Sequence, residues 1–395
     1  MYEKYVPDGV EDCLPAECRI KKNIESELRN GFIVSGYEEI ETPAYEFIDV
    51  FQSGVGSYMQ ESMIKFVDSR GRILVLRPDI TVPIARVAAT KMLPGVKRLF
   101  YIQNSFASAE PSIGKAGEFT QAGVELIGDE RFQADAEVIS LAIKSLKLAG
   151  LVEFTIDLGQ VAFFKSLIGG LGLDEEQTER LRHAVDSKDA MAINNIAQQF
   201  GIAGRLKEQI SKLPDLFGGY EVFDKALELS GDPGCRDAVE NLRSVYLLLS
   251  ELGFEDYISV DFGILHDIAY YSGIVFRGIT PGIGFPVASG GRYDGLLSKF
   301  GAPAPATGFS LGIKRVMIAM ERQGLLIGRY FTYAAVSCDM AACAAASAYA
   351  EDLRAKGSRT VFSPGLGAEE LIKLKNDTKA STAVFFDADG RRTEY

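Results

Sequence analysis

The sequence predicts an α+β fold: a large core organised on a mixed or antiparallel sheet, followed by a small C-terminal α/β domain. Three observations carry that expectation. Arg98 to Gly128 reads as two extended segments, around Leu99 to Ala107 and Glu118 to Leu126, joined by a connection rich in Gly, Pro and Ser. The alternation in YIQNSF and the turn formers from Pro111 to Gly114 mark an antiparallel hairpin with a long loop. Helical and strand-like patterns alternate on its C-terminal side, and from Tyr330 the texture changes to short apolar strands separated by helices.

In chain order, residues 1 to 15 form an extended lead. From Pro15 to Asn30 the apolar positions Ile20, Ile24 and Leu28 recur every four residues, a helix with one buried stripe that Gly31 should stop. Gly31 to Phe51 turns strand-like around Pro43, which reads as a helix end, a turn and an edge strand. Ile73 to Leu76 is a short apolar strand that delivers Arg77, Pro78 and Asp79, and Thr81 begins the next helix. Proline before Asp79 stiffens that turn. An Arg and an Asp at a rigid strand end suit a polar ligand, and they equally suit an internal ion pair.

After the hairpin, Ala134 to Leu148 places Val138, Ile139, Ala142, Ile143 and Leu146 on one helical face, with Gly150 as its stop, and Glu153 to Leu158 returns as a strand. Residues 160 to 252 read as mostly helical, an inserted lobe. Tyr257 to Leu265, Tyr271 to Arg277 and Phe285 to Ser289 are strand candidates. Gly290 and Gly291 permit close backbone approach before Arg292 and Tyr293. A helix from Gly308 through Met320, ended near Gln323 and Gly324, closes a core of residues 1 to 325. Residues 330 to 395 alternate strand and helix through FTYAAVS, a helix from Ala341 to Lys356, RTVFS, AEELIKLKN and TAVFF, which suggests a mainly parallel sheet.

Composition narrows the function classes. A chain of 395 residues is too long for one core of usual size, and 47% hydrophobic with 24% charged residues is the profile of a globular protein. The net charge of -12 and the absence of a Lys/Arg block oppose phosphate binding, so no nucleic-acid partner is expected. The N-terminus lacks a signal-peptide pattern and no apolar run approaches a membrane span, so a cytoplasmic protein without a membrane partner is expected. Cys13, Cys18, Cys235, Cys338 and Cys343 form no ligand pattern; reduced thiols and no metal site are the expectation.

The hairpin keeps informative company. LRPDIT at Leu76 to Thr81 precedes it, and HDIAYYSGIVF at His266 to Phe276, SGGRYDGL at Ser289 to Leu296 and GFSLGIKR at Gly308 to Arg315 come after it. That set resembles the catalytic core of histidyl-tRNA synthetase, over about residues 1 to 325. The resemblance implies a class II aminoacyl-tRNA synthetase-like core, a dimer built through Gly31 to Phe51, a helical insertion near 160 to 252, and a reduced anticodon-binding domain at the end.

The chemistry matches less well than the scaffold. Adenylation needs cationic groups on the ATP phosphates. Matching Phe106, Gly114, Glu118 and Phe119 to the family's hairpin places Ala107 where an ATP-binding arginine belongs and Ala109 where a glutamate belongs. Gly117 and Glu110 fall at further arginine positions, His266 replaces the arginine of the histidine-specific segment, and Lys314 replaces an acidic residue beside a retained Arg315. Losing one preorganised donor costs roughly 3 to 4 kcal/mol, so rapid adenylation and any catalytic residue are not expected.

The amino-acid end fits better. By the same resemblance Asp79 matches the residue facing the ligand ammonium, Gln121 and Glu125 match ligand-surrounding residues, and Tyr270 and Tyr271 match the imidazole pocket. Arg77, Thr81, His266, Gly290, Gly291 and Arg315 are supporting pocket candidates. On the residues alone, Gln121 and Glu125 also read as solvated strand positions, and the two tyrosines as core aromatics. A retained amino-acid pocket with a lost phosphate clamp is similar to the family of regulatory subunits of ATP phosphoribosyltransferase. That likeness implies no cofactor, histidine as an allosteric ligand, and a short catalytic subunit as partner. It also implies self-association as a dimer within a hetero-oligomer, an octamer being one such assembly, and histidine feedback on the first step of histidine biosynthesis. A divergent histidyl-tRNA synthetase or histidine-activating enzyme is the alternative.

Overall fold

A computed structural model describes residues 4–52, 63–108, 117–265, 270–325, 333–378 and 380–395. His266, Ala109, Glu110 and Gly114, named above, lie outside the described residues. The chain divides into two units, Met1–Leu325 and Leu326–Tyr395.

The first unit is built on a nine-stranded sheet. Its strands are β1 (Glu38–Glu39), β5 (Lys97–Phe106), β6 (Glu118–Ile127), β7 (Thr155–Gln160), β8 (Phe217–Gly218), β9 (Ile258–Asp261), β10 (Ile274–Ile279), β11 (Ala288–Arg292) and β12 (Ala306–Gly312). They run in the order β1-β5-β6-β12-β11-β10-β7-β9-β8. The pairs β1/β5 and β7/β9 are parallel and the rest antiparallel. A separate three-stranded antiparallel sheet holds β2 (Tyr45–Phe47), β4 (Ile73–Leu76) and β3 (Lys65–Val67) in that order.

Strand alternation gives the large sheet two different faces. Phe100, Val124 and Phe309 share one register row and look toward the helix Pro15–Val34, whose Phe32 ring lies 5.3 Å from Phe100 and 6.2 Å from Phe309. Tyr101, Glu125, Gly291 and Gly308 belong to the other face, which carries a second apolar cluster with Val82, Ile84, Tyr270, Tyr271 and Tyr293.

Three expectations need correction. Gly31 does not stop the first helix, which continues to Val34; a Cβ there would stand 2.6 Å from Leu148 Cδ1, so the glycine serves close packing on the helix Phe132–Ala149. Gly308 to Gly312 is strand β12, not the start of a helix, and the helix is Ile313–Arg322. An apolar run buried on both faces carries no period to separate the two. The helical block is not wholly a lobe: its last helix, Pro233–Glu251, packs on Phe132–Ala149, Val161–Ile168 and β7.

The second unit is a four-stranded sheet, β14 (Arg359–Phe362), β13 (Tyr333–Cys338), β15 (Thr382–Phe386) and β16 (Arg392–Glu394), in that order. The first three are parallel, with the helices Cys343–Ala355 and Ala368–Thr378 as crossovers. Antiparallel β16, short and exposed, was not legible as a strand.

Candidate functional site

A cavity of about 140 Å³ opens on the tyrosine-bearing face of the large sheet. Its floor is made by strands. Gln121 and Glu125 rise from β6, Ser289 from β11, and Gly308, Phe309 and Ser310 line it from β12. Three glycines of that face leave room for large polar groups. A Cβ on Gly123 would stand 2.6 Å from the Tyr101 hydroxyl, one on Gly291 2.9 Å from the Tyr271 ring, and one on Gly308 2.0 Å from Glu125 Oε2.

The wall comes from the β4 turn and from the 270–293 region. Asp79 follows β4, and its Oδ1 accepts from the Val82 N–H at 2.8 Å in the first turn of the helix Thr81–Lys91. Tyr270 O–H reaches Asp79 Oδ2 at 3.4 Å. The rings of Tyr270, Tyr271 and Tyr293 meet edge to face, with centroids 5.2 and 5.6 Å apart, and Lys165 Nζ fixes the Tyr271 carbonyl at 2.8 Å.

Glu125 is 1% exposed. Thr81 Oγ1 donates to its Oε1 at 2.6 Å, and the Tyr293 hydroxyl donates to Oε2. Burial pushes Glu125 up to about 8 against these two hydrogen bonds, and nearby Asp79 adds to the rise. Burial likewise lifts Asp79 to about 6. The same desolvation raises Tyr101, Tyr270, Tyr271 and Tyr293, which stay protonated. Among the described lining residues none is cationic. Two carboxyl groups and the phenols, with no cation among the described lining residues, give hydrogen-bond partners to an ammonium or an imidazole and no counter-charge to a phosphate.

Most of the sequence candidates come together here: Asp79, Thr81, Gln121, Glu125, Tyr270 and Tyr271 all line the cavity. Gln121 is held by Ser105, whose hydroxyl donates to Oε1 at 2.8 Å. Gly291 supports Tyr271 from below, as described. Gly290 sits on the opposite face, where a Cβ would meet Phe276 Cζ at 2.6 Å, because neighbouring strand residues point apart. Arg77 is turned away from the cavity. Its Nε donates to the Asn104 carbonyl at 2.7 Å and its Nη1 to the carbonyls of Thr42 and Pro43, so it neither lines the cavity nor pairs with Asp79. Arg315 donates to the Pro286 carbonyl at 3.0 Å and lies over the Phe285 ring, outside the lining. Tyr293, Ser289 and Ser310 escaped the sequence reading; Tyr293 stood in SGGRYDGL, where its spacing from Glu125 is visible only through the β6–β12–β11 register.

The turn end of the hairpin is different. Ala107 N–H donates to the Gly117 carbonyl at 3.0 Å, Gly117 N–H to the Gly9 carbonyl at 2.5 Å, and Asn104 bridges to Glu118 at 2.6 Å. Lys314, on the adjoining helix, is held by Glu11 and Glu17.

Comparison with known proteins gives the family. Residues 9–316 match the family model described as histidyl-tRNA synthetase. The ATP phosphoribosyltransferase regulatory subunit of Acetivibrio thermocellus is 50% identical over 81% of this chain and 77% of its own. The protein of that name from Clostridium acetobutylicum is 39% identical over 99% of this chain and 97% of its own. A Bacillus halodurans crystal structure, described as an ATP phosphoribosyltransferase regulatory subunit/histidyl-tRNA synthetase, superposes with a TM-score of 0.84 at 31% identity, covering 98% of this chain and 99% of that one. On these matches, carried by a class II synthetase-like core, the chain belongs to the family of ATP phosphoribosyltransferase regulatory subunits.

Proposed function

We propose that this chain is a non-catalytic regulatory subunit that activates a short ATP phosphoribosyltransferase catalytic subunit and holds histidine in the cavity beside Glu125. The observation that carries the reading is the contrast along one hairpin: a carboxyl and phenol pocket toward its middle, and toward its turn Ala107 and Gly117 with Lys314 nearby held by Glu11 and Glu17. Asp79 takes the ammonium, while Glu125 and the tyrosines surround the imidazole. Histidine inhibits only through a difference in affinity between two arrangements of the complex.

Self-association fits the small sheet. Tyr45, Phe47 and Phe66 stand on its outer face at 54%, 42% and 39% exposure, a patch that a second copy would cover in a dimer within the hetero-oligomer.

The test is phosphoribosyl-ATP formation from ATP and phosphoribosyl pyrophosphate by a short catalytic subunit, with and without this chain, under a histidine titration. Activity only in the mixture, lowered by histidine, is expected. Histidine-dependent exchange of pyrophosphate into ATP by the chain alone would instead establish an active synthetase.

A further inference from the structure

Two thiols meet in the second unit. Cys338 ends β13, the strand flanked by β14 and β15, and is fully buried. Cys343 opens the helix Cys343–Ala355 after the short turn Met340–Ala342 and is partly exposed. The strand end and the helix start aim their side chains at each other, and the two Sγ atoms lie 3.2 Å apart. Cys343 Sγ also stands 3.7 Å from the Asp339 carbonyl. Around them Ala342, Ala346, Val384 and Phe386 form one packed cluster that fixes both backbones.

A disulfide needs its sulfurs about 2 Å apart. The remaining approach, on the order of 1 Å, is within reach of a small side-chain rotation. The pair is also asymmetric. Solvent reaches Cys343, whereas burial and the neighbouring sulfur of Cys343 push the Cys338 thiol up to about 11, so it waits as a thiol.

We propose that Cys338 and Cys343 form a reversible thiol–disulfide pair, a modification site oxidised by low-molecular-weight disulfides such as oxidised glutathione. The Cys343 thiolate attacks one sulfur of the oxidant, breaking its S–S bond; a mixed disulfide forms and the first small thiolate leaves. Cys338 then loses its proton and attacks Cys343 Sγ, which closes the internal bond and expels the second small thiolate. Two electrons pass from the protein to the oxidant, and the two protein thiol protons end on the two released thiols.

The experiment uses the full chain incubated natively with oxidised glutathione, quenched in acid, alkylated and digested with trypsin for mass spectrometry. One peptide, residues 330–354, contains both cysteines, while Cys13 and Cys18 share another, so the two pairs are read separately. The 330–354 peptide is expected to lose two hydrogens and escape alkylation, and to accept two alkyl groups again after reduction. Cys338→Ser is expected to stop at a glutathione adduct on Cys343. In Cys343→Ser the remaining Cys338 should react at least about tenfold more slowly than Cys343 does in Cys338→Ser. A wild-type peptide that accumulates a stable adduct, or stays doubly alkylated while Cys13 is modified, overturns the proposal. Equal rates in the two variants overturn the order of attack.

Discussion

The two ends of the β5–β6 hairpin are built from the same pair of strands and hold opposite things. Toward its middle, every cavity-facing group is placed: Gln121 by Ser105, Glu125 by Thr81 and Tyr293, and Tyr101 above Gly123. Toward its turn, backbone bonds from Ala107 and Gly117 are joined by one exposed side-chain bond from Asn104 to Glu118, and Lys314 is paired with two glutamates. The difference teaches that two ends of one strand pair can be held by different means, side chains at one and largely backbone at the other. The ligand end is wedged into the sheet's packing, so losing it disturbs the fold, whereas at the other end Glu118 is exposed and changes at little cost to stability.

The comparison breaks most readily at Gly308. In Gly308→Ala the methyl would meet both Glu125 Oε2 and, at 2.5 Å, the backbone oxygen of Val124, which cannot rotate away. A loss of about 3 kcal/mol in urea unfolding is expected, with loss of histidine binding. Wild-type stability would place the glycine outside the packing just described.

Glu125→Gln sharpens the comparison through pH. The folded value of about 8 stands above the ordinary 4.5, so the folded chain keeps a proton that the unfolded chain releases. Stability therefore falls as pH rises from about 4.5 to about 8, and is unaffected by this group below that window. The amide removes that slope, and at pH 8 it should exceed wild type by about 1 to 3 kcal/mol in thermal or chemical denaturation. The slope from Asp79, between 3.8 and about 6, should survive.

Tyr270→Phe deletes only the hydroxyl that reaches Asp79. Histidine affinity by calorimetry should fall about fivefold, on the order of 1 kcal/mol, with the fold unchanged. At the turn end, Glu118→Ala removes an exposed bond to Asn104. Its effect should stay within about 0.5 kcal/mol, with histidine affinity unaltered; a large change would show that the turn end is still in use.

Much of the scaffold was legible because its signals are local. The hairpin, the helix Phe132–Ala149 closed by Gly150 at φ +101, and the strand that delivers Asp79 are each written in a short window of sequence. Period two also placed Gln121 and Glu125 on one face. What failed was non-local. Arg77 reads as a ligand residue beside Asp79, and only the fold reveals the carbonyls of Thr42, Pro43 and Asn104 around it. Gly290 and Gly291 read alike, and only the register assigns them to opposite faces. Tyr293 reaches Glu125 across 168 positions of chain.

Arg77 has a positional consequence. The run Ile73–Thr81 serves two places: one end is the strand of the small sheet whose outer surface bears Tyr45, Phe47 and Phe66, the other carries Asp79 and Thr81 into the cavity wall. Arg77, between them, is tied to the loop before β2 and to β5 by carbonyl bonds. The outer apolar surface and the cavity wall are thus borne by one short stretch of chain anchored at its middle.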